Sequence, residues 1–143
     1  MQTFLPYKSF KKSARVLDYK RLGKQRLEAK IIIDIIEGRG KGGWKHHPAV
    51  LMWMDYPDAL KAYYNVMVKE WVHRGYNNTM PLYKVDTKKV RWPIWLGRKD
   101  FHHSHQVNLQ WKHPHHYGEY WNHKKYVPYV WPVRIKTIKV VER

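Results

Sequence analysis

The stretch Ser13-Ala-Arg-Val-Leu-Asp-Tyr-Lys-Arg-Leu-Gly-Lys-Gln-Arg-Leu-Glu-Ala-Lys-Ile-Ile-Ile-Asp-Ile-Ile-Glu-Gly38 decides the fold. At about 100° per residue, Ala14, Leu17, Ile32, Ile35 and Ile36 fall in one sector, and Arg15, Tyr19, Lys20, Arg26, Lys30 and Asp34 occupy the opposite side. The spacing predicts one amphipathic helix over 13–38, with Ser9 or Ser13 as its N-cap and Gly38 as its stop. Arg21, Gln25 and Glu28 interrupt the apolar sector. Burying unpaired polar groups costs several kcal/mol. These three therefore either form a satisfied structural network, Arg21 and Glu28 pairing across two turns or reaching loops, or make the wall of a wet cavity. Residues that break a local pattern concentrate at functional sites, and a Glu near an Arg suits acid/base chemistry beside an anion.

Working outward, Met1 to Tyr7 is a short extended lead, and Gly38-Arg-Gly-Lys-Gly-Gly43 is a basic loop with a bare main chain. Ala49 to Trp53 is a short apolar helical run. A second main helix is expected from Pro57 to Arg74, stopped by Gly75, with Leu60, Tyr64, Met67, Val68 and Trp71 recurring at three and four. Residues 76–97 read as irregular, and a third helix is expected from Lys99 to Trp111, ending before Pro114. The tail carries Tyr126-Val-Pro-Tyr-Val-Trp-Pro132, then Val133 to Val141, a terminal strand or a basic arm. The fold class is all-α: one compact domain over 1–143, about three main helices, long aromatic-rich loops and an extended basic C-terminal tail.

A net charge of +17, from 28 Lys and Arg against 11 acidic residues, exceeds what solubility requires and points to a polyanionic partner. Eight Trp and 11 Tyr, many interleaved with cations as in Trp92, Trp95 and Arg98, favour nucleic acid over an anionic membrane, since rings stack on bases while cations hold phosphates. No stretch approaches the roughly 18 apolar residues of a membrane span, and Met1 to Pro6 is too short and polar for a secretory signal. An intracellular, cytoplasmic protein is expected. Zero cysteines remove disulfides, Cys nucleophiles and thiolate metal sites.

Eight of the ten His cluster at 46/47, 102/103/105 and 113/115/116. His102 has Gln106 and His105 has Leu109 at i+4, so the helix lacks the second His of a helical chelate, and Asp100 is the one nearby carboxylate. No metal is expected. The His contact phosphates or bases, donate a proton, or pack and cap.

The lead, Leu17-Asp-Tyr-Lys-Arg-Leu-Gly-Lys-Gln-Arg-Leu-Glu28, Gly43-Trp-Lys-His-His-Pro48, Phe101-His-His-Ser-His105 and His113-Pro-His-His-Tyr-Gly118 together resemble the pyrimidine-dimer DNA glycosylase family, the phage-type endonuclease V. The resemblance spans most of the chain. It implies an all-α domain with the amino terminus beside the first long helix. It also implies a cofactor-free activity in two steps: removal of a damaged pyrimidine, then scission of the strand at the abasic site. An α-amine attacks the sugar anomeric carbon and forms an imine, and a helix-borne glutamate assists the proton transfers of β-elimination.

Carried over by residue, the nucleophile is the α-amine of Met1 or of Gln2, with Lys24 as a third possibility. Aligned through Asp18-Tyr19 and Leu22, the family's glutamate falls on Arg21; Glu28, two turns on in the same sector, is taken as the acid/base group, with Asp18 as competitor. Arg21 is placed in the catalytic set. Lys24, Gln25, Arg26, Lys41, Trp44, His46, His47, His102, His105, Tyr117, Tyr129 and Trp131 are expected to contact DNA. The partner is double-stranded DNA bearing a damaged or modified base, bound by a monomer. The competing readings are a non-catalytic nucleic-acid-binding protein and a His-metal nuclease.

Overall fold

The structure, a computed structural model, describes residues 1–40 and 42–133. The helix expected over 13–38 is two: α1, Phe10–Val16, and α2, Tyr19–Ile36. Leu17 is extended, at φ −68° and ψ 138°, and Asp18 caps α2 by accepting the Arg21 N–H at 3.3 Å. The Tyr117 hydroxyl fixes the break from far along the chain, accepting the Asp18 N–H at 2.9 Å and donating to the Asp18 carboxylate. Ser9 is the cap of α1, accepting the Lys12 N–H at 3.0 Å. Ser13 is buried instead, its hydroxyl bonded to both main-chain groups of Tyr7. Gly38 ends α2 at φ 81°, a left-handed conformation that side chains resist.

His47 caps the short α3, Pro48–Leu51, one residue earlier than the expected run and two shorter at its end. The expected second main helix is α4, Pro57–His73, followed by Gly75 at φ 93°. The third is α5, Lys99–Lys112. A single turn unforeseen in the sequence, α6, Pro114–Tyr117, then brings Tyr117 to Asp18. Among the described residues there is no strand, and no helix is long and apolar enough to cross a membrane.

α2 and α4 form the main packed pair, with α1 also against α4. Leu22, Ile32 and Ile33 of α2 meet Leu60, Tyr64 and Met67 of α4 in one cluster that includes Trp53, Phe101 and Leu5. Four of the five positions picked out on α4 are buried; Trp71 lies at the edge, its ring over Gly23 of α2, under Arg26 at 4.4 Å and against Tyr76 at 4.3 Å. The irregular 76–97 is tied down by side chains: the Tyr64 hydroxyl donates to Pro81 O at 2.9 Å, Asn65 bonds both main-chain groups of Tyr83, and Trp95 Nε1 donates to Met52 O at 3.0 Å. After α6 the chain runs back along α5, where Val130 N–H donates to Ser104 Oγ at 3.0 Å and Asn108 Nδ2 to Val127 O at 3.0 Å. Lys41 and the basic arm expected beyond Val133 lie outside the described residues.

Candidate active site

The lead, Met1 to Pro6, belongs to no helix, so its main-chain groups need other partners. Side chains from three helices supply them. Gln2 N–H donates to Glu28 Oε1 at 2.9 Å and Phe4 N–H to Gln25 Oε1 at 2.9 Å, while Gln25 Nε2 donates back to Gln2 O at 3.0 Å. The Tyr63 hydroxyl of α4 stands 2.8 Å from Phe4 O and 2.6 Å from Gln25 Oε1. From α5, His105 Nδ1 accepts the Leu5 N–H at 2.9 Å, His102 Nδ1 meets Leu5 O at 2.7 Å, and Gln106 Nε2 donates to Pro6 O at 2.8 Å.

These bonds revise several expected DNA contacts. Gln25 is 1% exposed and its amide holds the lead. His105 is fully buried, and burial pushes it down to about 3, with His102 adding to the shift, so it stays neutral and accepts at Nδ1. Burial also lowers His102, whose Nε2 accepts the Gly97 N–H at 2.9 Å, leaving Nδ1 as the donor to Leu5 O. Tyr117 is buried beneath Asp18. Arg26 faces the other way, donating to Asn78 Oδ1 at 2.7 Å over the Trp71 ring. Most of their polar atoms are bonded within the protein, while Arg26 Nε and His105 Nε2 have no hydrogen-bond partner among the described residues.

What remains is a cleft of about 360 Å³. The lead contributes Met1, Gln2 and Phe4, α2 contributes Lys20, Arg21, Lys24, Gln25 and Glu28, and the last residue of α5 contributes Lys112. The three polar residues that interrupt the stripe thus share one wall, facing the amino terminus. Glu28 has one oxygen on Gln2 N and the other 3.7 Å from Lys24 Nζ. Asp18 is 7% exposed; burial raises its carboxyl, but the Tyr117 hydrogen bond and the Arg21 guanidinium at 3.2 Å outweigh this and hold it below the usual range. It is a cap, anchored at the edge of the cleft.

One flank is a run of rings. Trp44 meets His47 at 5.5 Å, His47 meets Trp131 at 5.7 Å, and Trp131 meets Tyr129 at 5.9 Å. Trp44 is half exposed and His46 is exposed, so both are free to meet a partner. His47 is lowered first by burial and then by the positive amino terminus of Met1; its Nδ1 accepts the Ala49 N–H at 3.0 Å. Lys112 was not singled out in the sequence. Its signal was there: it lies two turns beyond His105, on the same face of α5. Among the described residues no group of three or more His, Asp or Glu is placed to hold a metal ion.

A family model described as pyrimidine dimer DNA glycosylase matches residues 1–84, more than half of the chain. The chain belongs to this family. It is thereby a DNA-repair glycosylase, an enzyme whose substrate is DNA. No curated protein and no solved structure matches it. The matched stretch contains the lead, α1 to α4 and the Glu28 wall, whereas Lys112, Tyr129 and Trp131 come from the remainder.

Proposed function

We propose that this glycosylase removes a damaged pyrimidine from duplex DNA and then cuts the strand at the resulting abasic site, by an amine mechanism that needs no metal. The observation that carries the reading is the 2.9 Å bond from Gln2 N to Glu28 Oε1, which fixes a carboxylate at the start of the chain inside a cationic cleft.

The amine is the α-amine of Met1, which lines that cleft. Gln2 N–H then serves as a peptide donor that orients Glu28. The amine lone pair attacks C1′ as the C1′–N bond breaks, the base leaving with that electron pair and taking up a proton shed by the attacking nitrogen; a second proton passes from that nitrogen to O4′ as the C1′–O4′ bond breaks, so the ring opens and C1′ becomes an imine. Glu28 removes a C2′ proton and the C3′–O bond breaks, completing β-elimination. Lys20, Arg21 and Lys24 hold the flanking phosphates, whose charge also drives binding. Chemistry on a base in a duplex requires extruding the nucleotide, and the ring flank of Trp44, His47 and Trp131 offers faces on which an extruded base can stack. The buried apolar residues among those described share one hydrophobic cluster, which supports a single domain; we take it to act as a monomer.

Product analysis tests the reading. A duplex with one pyrimidine dimer should yield a 3′-terminal unsaturated aldehyde and a 5′-phosphate, and a chelator should leave the rate unchanged. A 3′-hydroxyl product would overturn it.

A further inference from the structure

We propose that Lys112 is a second amine of this cleft and forms an imine with the aldehyde of an abasic sugar; the proposal rests on reading the cleft as a lyase site. Lys112 ends α5 and reaches the same cleft as Met1 and Glu28 from the opposite side of the lead. Its ammonium stands over the rings of Phe4 at 5.9 Å and Tyr129 at 5.5 Å. Among the described residues no carboxylate pairs with it, whereas Lys24, Lys30 and Lys61 pair with Glu28, Asp34 and Glu37. Lys112 is exposed to solvent along part of its length, while its ammonium lies over rings with Arg21 and Lys24 nearby. Desolvation first, then those two charges, lower it, with Glu28 opposing. A lysine beside other cations is activated as a nucleophile, because like charges favour its neutral amine.

The step balances without a co-reactant beyond the abasic strand. The Nζ lone pair adds to the C1′ carbonyl of the open sugar, protons pass from nitrogen to the carbonyl oxygen, and water leaves to give the C=N bond. A C2′ proton then passes to Glu28 and the C3′–O bond breaks, with the downstream 5′-phosphate as leaving group. Lys112 therefore gives the cleft lyase activity on pre-formed abasic sites that does not depend on the terminal amine.

The test compares the full chain with one carrying an added Gly-Ser ahead of Met1, which converts the Met1 amine to a peptide nitrogen. Each is mixed with an abasic-site duplex and borohydride, and the adduct is mapped by peptide mass spectrometry. The extended chain should still be trapped, roughly tenfold to a hundredfold more slowly, the range set by displacing an attacking atom, with the adduct on the Lys112 peptide. Extended K112R, which keeps the charge but cannot form the imine, should give none. If the unextended chain is trapped at its terminus while the extended one is not, or is trapped at Lys24, the Lys112 assignment fails and the proposed function stands. If neither is trapped, both fail.

Discussion

Glu28 has 14% of its side chain exposed, with one oxygen held by the lead and the other turned toward Lys24. Glu28→Gln keeps an acceptor for Gln2 N–H but removes the base. Strand scission should fall by about 10²–10⁴, the usual contribution of a positioned acid/base group, with duplex affinity retained in a binding assay. Undiminished cleavage would remove Glu28 from the chemistry. His105 carries a pH-dependent expectation of a different kind. Unfolded, it protonates near the ordinary 6.5; folded, it resists until about 3. Between those values the unfolded chain holds the extra proton, so stability falls as pH drops, by about 1.4 kcal/mol per unit, and is fully present above the unfolded value. His102, also lowered, acts with the same sign. Denaturant melts at pH 7 and pH 5 should show the loss, and His105→Asn should flatten it; equal stability at both would refute the buried neutral assignment.

At this scale the sequence showed where polar residues break the apolar pattern but not what meets them. Arg21, Gln25 and Glu28 do share a wall of the cleft, as the helical spacing implies. Whether each faces a ligand or a main-chain amide depends on a lead 20 or more residues away, and periodicity along one helix does not show that Gln25, His102 and His105 hold that lead.

The elements were legible where their signals are local. α4 and α5 follow from apolar periodicity and their Pro and Gly punctuation. The break between α1 and α2 was not, because an Asp followed by Tyr and Lys is compatible with a continuous helix, and the group that stabilises the break, the Tyr117 hydroxyl, is 99 positions away. Asp18→Ala removes both the cap and the acceptor of a buried hydroxyl. It should cost about 1–3 kcal/mol, read as a lowered melting temperature. Gly23 gives a sharper test of the α2–α4 contact. On propensity alone Gly23→Ala should stabilise α2 by about 1 kcal/mol. A Cβ there would stand 2.8 Å from the Trp71 ring, which is held by Arg26, by Tyr76 and by its bond to Asn77 O at 2.7 Å. Overpacking of about 1–3 kcal/mol wins, so the variant should melt lower; a rise would mean that the ring yields freely.

For the whole molecule, the +17 charge and the family membership converge on one substrate, the DNA polyanion. Each phosphate neutralised steepens the salt dependence by about 0.9 in log–log slope. Affinity for undamaged duplex should therefore collapse between low and moderate salt in a fluorescence titration, and a flat curve would contradict the charge argument. The most direct test of the catalytic assignment is borohydride trapping of the unaltered chain on a duplex with a single pyrimidine dimer, set against the same duplex without damage. The expected result is a covalent adduct with the damaged duplex alone, mapped to the first tryptic peptide, Met1 to Lys8, and still formed in Glu28→Gln, where the imine is made but the strand is not cut. A chain that binds the damaged duplex yet gives no adduct would contradict the amine mechanism.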